Sequence, residues 1–182
     1  MIKQVVKDTF FLGQKSEIAT KQDLAVGQDL QDTLTANRER CVGMAANMIG
    51  VRKRIIIVNM GLMNMVMYNP VIVKKDTPYE TEEGCLSLEG VRKTTRFQNI
   101  EVEYLDGSWK KHRQAYSGWI AQIIQHEVDQ LEGKISEGNA HGNHKNRFHA
   151  RHAVPQDAVA GQAQTGSQGY PAVYPGEAGR GK

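Results

Sequence analysis

Gln125-His126-Glu127-Val128-Asp129-Gln130 decides how the rest of this chain is read. On an α-helix residues four apart share a face, so His126 and Gln130 look the same way, with Glu127 beside them. A helix with His at both places and Glu next to the first can hold a metal ion and supply its base; here the second place is Gln. The helix is marked at both ends. Ser117 is a candidate N-cap, Trp119, Ile120, Ile123, Ile124 and Leu131 recur at helical spacing, and Gly133 stands past the end as a stop.

Outward from that helix, Arg96 to Leu105 alternates apolar and polar residues, Asp106-Gly107 forms a turn, and Ser108 to Tyr116 returns, which predicts a hairpin. Arg54 to Met60 is a short β-branched run of the kind that makes a buried strand, and Val66 to Val73 predicts another, interrupted at Asn69-Pro70. Cys41 to Gly50 reads as a Gly- and Ala-rich turn. Residues 21 to 39 carry Leu24, Val26, Leu30 and Leu34 at the spacing of an amphipathic helix, with Gly27 inside it. Helix, strands, hairpin, helix predicts an α+β fold: antiparallel strands wrapped around the C-terminal helix, with the N-terminal helix packed outside.

At 182 residues and 40% hydrophobic content the chain suits one catalytic domain, placed at residues 1–134. Residues 135–182 change character: Gly, Ala, Gln and His crowd the segment with Pro155, Pro171 and Pro175, and it holds no Leu. Such a composition cannot bury enough apolar surface to offset chain ordering, so a disordered low-complexity tail is expected. Its histidines, His141, His144, His149 and His152, read as part of that solvated segment rather than as a metal tract. The abruptness of the change fits either a native tail or a shifted reading frame. A net charge of +3, from 23 basic and 20 acidic residues, is a mixed surface that gives nucleic-acid binding little support. No run of about 18 apolar residues is present and the first residues lack an export signal, so a cytoplasmic protein without membrane contact is expected. The two cysteines, Cys41 and Cys85, are too few for a disulfide framework.

Three segments carry chemistry together: Gly43-Met44-Ala45-Ala46-Asn47-Met48-Ile49-Gly50, Glu83-Gly84-Cys85-Leu86-Ser87, and the His126-Glu127 helix. In order and spacing they resemble the three motifs of peptide deformylases, and the resemblance covers most of residues 1 to 134. It implies a metal-dependent hydrolase that removes formyl from the N-terminal methionine of new polypeptides and releases formate. The family's metal is typically Fe²⁺, replaceable by Zn²⁺, Ni²⁺ or Co²⁺; the implied partners are an N-formylmethionyl peptide and, by the same resemblance, the ribosome.

A catalytic divalent ion needs about three protein ligands and one open position, and a thiolate with an imidazole anchors it firmly. By resemblance Cys85 and His126 take those places and Gln130 stands at the third, where an amide oxygen is a weaker donor than imidazole. Glu127 is implied as base and then acid. The formyl oxygen would meet the backbone N–H of Leu86, while the side-chain donor of the family falls on Met48, a thioether that donates nothing. Cys41 stands at the family's first Gly. Backbone groups of Val42 and Gly84, with Gly43 beside them, would pair with an extended peptide, and Arg92, seven residues after Cys85, would help orient it.

Trp119 and Ile123 precede His126 by seven and three residues on one helical face and, with Val42, form a candidate apolar slot for a methionine side chain. The plainer alternatives are core packing for Trp119 and Ile123, a packed thiol at Cys41, a solvated amide at Gln130, a surface His112, and, for Asp129, by resemblance a neighbour of the site, a supporting or surface carboxylate. The alternative function is a catalytically impaired relative that only binds peptides or serves as a structural module. A metalloprotease of the His-Glu-x-x-His type is disfavoured by Gln130 and leaves Cys85 without a place.

Overall fold

The computed structural model describes residues 1–88 and 91–134; the expected tail, 135–182, lies outside the described residues. In chain order the elements are α1 (Thr9–Leu12), α2 (Leu24–Ala36), β1 (Gly43–Ala45), β2 (Ile55–Asn59), β3 (Asn64–Gly84), β4 (Val91–Leu105), β5 (Lys111–Ser117) and α3 (Gly118–Leu131). Single 3₁₀ turns precede α2 (Lys21–Asp23) and follow β1 (Ala46–Ile49). The five strands form one antiparallel sheet in chain order.

β2 lies inside the sheet, and its Ile55, Ile56, Ile57 and Val58 are all fully buried. The reason is that both its faces are covered, α2 packing on it as well as α3, so the run is continuously apolar rather than alternating. Leu30 and Leu34 come in from α2, and Ile124 and Leu131 from α3. The α+β arrangement expected from the sequence is therefore the one observed, with α3 cradled by the sheet and α2 outside. Gly27 has a packing reason. A Cβ there would lie 2.0 Å from the Tyr68 hydroxyl, which donates to the Leu24 carbonyl at 3.0 Å and ties β3 to α2.

The sequence understates β3, which runs for 21 residues instead of stopping at Val73. Residues 74–84 are charged and mostly exposed, so hydrophobic alternation cannot reveal them; what holds them is pairing with β4 from Lys74 opposite Glu101 to Gly84 opposite Val91. Opposite charges face each other there, as at Glu82 and Lys93. β3 also bends. It pairs with β2 up to Tyr68 and with β4 beyond, with register shifts between Tyr68 and Val71 and between Ile72 and Lys74. Asn69 sits in the bend at φ 52°, a left-handed conformation Asn tolerates better than most. Its amide accepts from Ala19 N–H at 2.8 Å and donates to the Ala19 carbonyl at 3.0 Å. Arg54 donates to the Pro70 carbonyl at 3.1 Å and pairs with Glu132, joining the bend to the end of α3.

Two local expectations are corrected. Ser117 occupies the N-cap of α3, but its side chain makes no capping bond; it is also the last residue of β5, paired with Asn99, and the chain turns into the helix at Gly118 with φ 59°. His112 is only partly at the surface: its Nε2 lies 2.6 Å from Asp106 Oδ2 and its ring stacks on Tyr104.

Candidate active site

α3 is fixed to the sheet by an amide. Gln125 accepts from Phe97 N–H and donates to the Phe97 carbonyl, both at 2.9 Å. β5 ends opposite Asn99, so Gln125 continues the ladder along β4 where the strand stops. This seats the inner face of α3, with Ile123, Glu127 and Gln130 all buried.

The next residue, His126, turns its Nδ1 to Glu83 Oε2 at 2.9 Å. Cys85 lines the same cavity as His126 and is among the groups that raise its pKa. Sulfur and imidazole, expected from sequence to converge, face one cavity. Gln130, one turn on, donates its Nε2 to Cys85 Sγ at 2.9 Å. Gln130 is thus in contact with Cys85, and His126 shares a cavity with that thiol.

Behind them lies a buried ion-pair network that motif reading did not supply. Arg96 on β4 grips Glu83 with two parallel bonds of 2.8 Å and reaches Asp129 at 2.6 Å. Burial pushes the Glu83 carboxyl up, but Arg96 and His126 outweigh it and hold the group down at about 2. Burial likewise opposes charge on His126, yet its contacts with Cys85 and Glu83 raise its pKa to about 10. Glu127 has no such partner. Burial pushes it up to about 7, and its Oε2 has no hydrogen-bond partner among the described residues.

These groups open into a cavity of about 320 Å³. Cys85, Leu86, His126 and Glu127 line it together with Val42, Gly43, Met48, Gly84, Trp119 and Ile123, so the expected slot residues share one space with the expected catalytic ones. Gly43 is where β1 touches α3: a Cβ there would lie 2.5 Å from Ile123 Cγ2 and 2.8 Å from Glu127 Oε1. Cys41 does not have a positive φ, so replacing the family's glycine there brings no backbone strain. Its thiol donates to the Gly43 carbonyl at 2.7 Å, and burial pushes its pKa up to about 12, as for a packed thiol. Met48 is buried with its sulfur accepting from Ala45 N–H at 3.4 Å, and offers the cavity no donor.

Two residues expected at the peptide have further neighbours here. The Val42 carbonyl already accepts from Asn59 N–H at 2.8 Å, on the β2 side. Successive residues of a strand face opposite edges, so Gly43 is the one whose backbone faces the open edge of β1. Arg92 does not line the main cavity; it lines a second recess on the far side of His126, with Thr94, Arg96, Asp129, Gln130 and Lys134.

The donor set fits a divalent transition metal of modest affinity. Among the described residues no three His, Cys, Asp or Glu side chains come together to hold an ion, and the further polar side chain beside Cys85 is Gln130. Its Oε1 is buried without a partner. Which amide branch faces the sulfur is an assignment from hydrogen bonding, and turning the amide over brings the orphaned oxygen to the place where an ion would sit. Glu127 Oε2 and Ser87 Oγ, in the lining of the main cavity, are also without a hydrogen-bond partner among the described residues.

Comparison with known proteins gives consistent relatives. The family model described as Polypeptide deformylase matches residues 6–145. Over 135 residues the chain is 61% identical to a peptide deformylase of Clostridium beijerinckii, covering 74% of this chain and 99% of that one. It is 42% identical over 100 residues to one from Pelotomaculum thermopropionicum, covering 54% of this chain and 64% of the relative. Among solved structures, a class I type b peptide deformylase from Acinetobacter baumannii superposes with TM-score 0.67 at 27% identity, covering 73% of this chain and 95% of that one. The Thermotoga maritima enzyme, at 24% identity, TM-score 0.67, and coverage of 73% and 93%, shares the fold.

Proposed function

We propose, from the premise that this chain belongs to the polypeptide deformylase family, that it hydrolyses the N-formyl group from the N-terminal methionine of newly made polypeptides and releases formate. The observation that carries this is that Cys85, bonded by Gln130, lines one cavity with His126 and a buried Glu127. We assign Cys85, His126 and Gln130 as metal ligands. Fe²⁺ is the ion the family resemblance favours, with Zn²⁺, Ni²⁺ or Co²⁺ able to replace it. An ion held there supplies a Lewis acid for the formyl carbonyl and acidifies a water beside it.

Glu127 takes the proton of the attacking water and passes it to the departing amine. Its burial suits both halves of that task, because a carboxyl titrating near neutrality gives and takes protons with similar ease. Charge growing on the formyl oxygen meets the backbone N–H of Leu86. The second donor is missing at Met48, an absence worth roughly 2.7–4 kcal/mol of barrier where such donors have been removed. The peptide backbone adds to the open edges at Gly43 and Gly84, while Val42, Trp119 and Ile123 receive the methionine side chain. Cytoplasmic location and work at the ribosome follow from the substrate. No helix among the described residues is long and apolar enough to cross a membrane.

The test measures bound metal and formate release from a formyl-Met peptide, for this chain and for Gln130→His with Met48→Gln. Slow turnover that the double replacement raises is expected. Two metal-free, inert proteins would contradict the enzymatic reading. A relative that binds peptide N-termini without turnover is not favoured at 61% identity to a peptide deformylase; that reading rests on Gln130 and Met48, and turnover by the unaltered chain excludes it.

A further inference from the structure

Charge around the main cavity is divided by depth. Its carboxylates are Glu83 and Glu127, 7% and 3% exposed, and Glu83 is committed to Arg96 and His126. Lys7 and Arg40 line the same cavity, and both residues are exposed. The exposed charges of the lining are therefore both positive.

These two cations come from different parts of the chain. Val6 N–H donates to the Met48 carbonyl at 2.8 Å, which lays the N-terminal segment against the turn after β1 and brings Lys7 to the cavity. Arg40 closes the turn after α2, its N–H donating to the Asn37 carbonyl at 2.8 Å. Neither side chain has an ion pair or hydrogen bond among the described residues. Their acidic neighbours in sequence do not line the cavity: the Asp8 carboxylate accepts from Phe10 and Phe11 N–H as the cap of α1, and Glu39 lies in the exposed turn.

Burial marks the way out of the site. Gly43 stands beside Glu127, and from there Met44 to Ile49 is buried throughout, whereas Val42 and Cys41 are half-buried and Arg40 is exposed. A peptide laid along the open edge of β1 with its reacting end at Glu127 therefore leaves past Arg40. Three residues separate Arg40 from Gly43, at most about 10 Å of chain, so a side chain one or two places after the methionine comes within reach of the mouth.

We propose that Lys7 and Arg40 make this cavity selective for peptides with Asp or Glu at the second or third residue. The inference rests on the peptide reading given above and adds to it the charge of the preferred substrate. Long apolar stems let the ammonium and the guanidinium lean over the mouth, and a cleft with low-dielectric walls focuses their field inward. Both groups are solvated, so each contributes up to about fivefold in affinity, and salt weakens it.

The test is an NMR titration of the full chain with the amidated peptides Met-Glu-Glu-Ala, Met-Gln-Gln-Ala and Met-Lys-Lys-Ala. They carry no formyl group, so turnover does not enter. At low salt the Glu peptide is expected to bind at least about threefold tighter than the Gln peptide, and the Lys peptide weakest. These differences should shrink at about 1 M salt, where the screening length falls to about 3 Å. Lys7→Glu combined with Arg40→Glu should reverse the order, which misfolding would not do, and thermal melts verify that the variant folds. Equal affinity for the three peptides, or an order that the combined variant preserves, overturns the charge selection and leaves the peptide reading standing. Absence of binding by all three overturns both, so the two failures are told apart.

Discussion

A single methyl group on Gly43 would meet Ile123 and Glu127 at distances no packed atoms hold, 2.5 and 2.8 Å. Gly43→Ala is therefore expected to push α3 off β1. A destabilisation of about 1–3 kcal/mol, typical of overpacking, should appear in denaturant unfolding, together with loss of formate release. Arg96→Met tests the network behind the imidazole: Glu83 would remain buried with His126 as its remaining partner, and breaking a buried pair in this way costs up to about 3–5 kcal/mol. A smaller loss, with metal affinity unchanged, would show that Arg96 does not position His126. At this scale the sequence spoke unevenly. Cys85, His126, Glu127 and Gln130 were legible because short motifs fix them by spacing. Arg96 was not, since nothing in the chain relates it to Glu83 until β3 and β4 are in register, with Tyr79 opposite Arg96. The recess that Arg92 lines was not legible either: a count of seven residues from Cys85 does not say which side of the wall a strand residue faces.

Elements are joined by a few polar side chains whose removal should show. Gln125→Leu leaves the Phe97 N–H and carbonyl without their bonds from α3, and at about 1–3 kcal/mol for an abandoned buried group the variant should melt earlier while keeping its helix content by circular dichroism. The end of α3 adds a pH dependence. Glu132 titrates below its ordinary value of 4.5, held there first by the Lys15 ammonium, with burial opposing and Arg54 assisting. A lowered folded value means this stability is present above pH 4.5 and drains away as pH falls through the folded value. Acid unfolding curves should therefore be shallower for Glu132→Gln, and identical curves would remove the staple from the account. Apolar period located α2, β2, the β4–β5 hairpin and α3. It missed β1, only three residues long, and the outer half of β3, whose stability comes from pairing and cross-strand charge rather than from a buried face.

Across the whole molecule, the site is held by parts far apart in sequence: the loop after β3 brings Cys85, β4 brings Arg96, β1 brings Gly43, and α3 brings the rest. An ion bound only by the folded arrangement should stabilise all of it at once, by about 2.7 kcal/mol when free metal stands at a hundred times its dissociation constant. Thermal melts with and without added Zn²⁺ should show that shift, and His126→Ala should abolish it. The central claim is that one thiolate and one imidazole from this fold share a cation, and X-ray absorption at the zinc edge of the loaded protein tests it most directly. The account predicts a single sulfur scatterer at about 2.3 Å with nitrogen or oxygen neighbours at about 2.0–2.2 Å, the sulfur vanishing in Cys85→Ser. A shell of nitrogen and oxygen alone in the unaltered chain would contradict it.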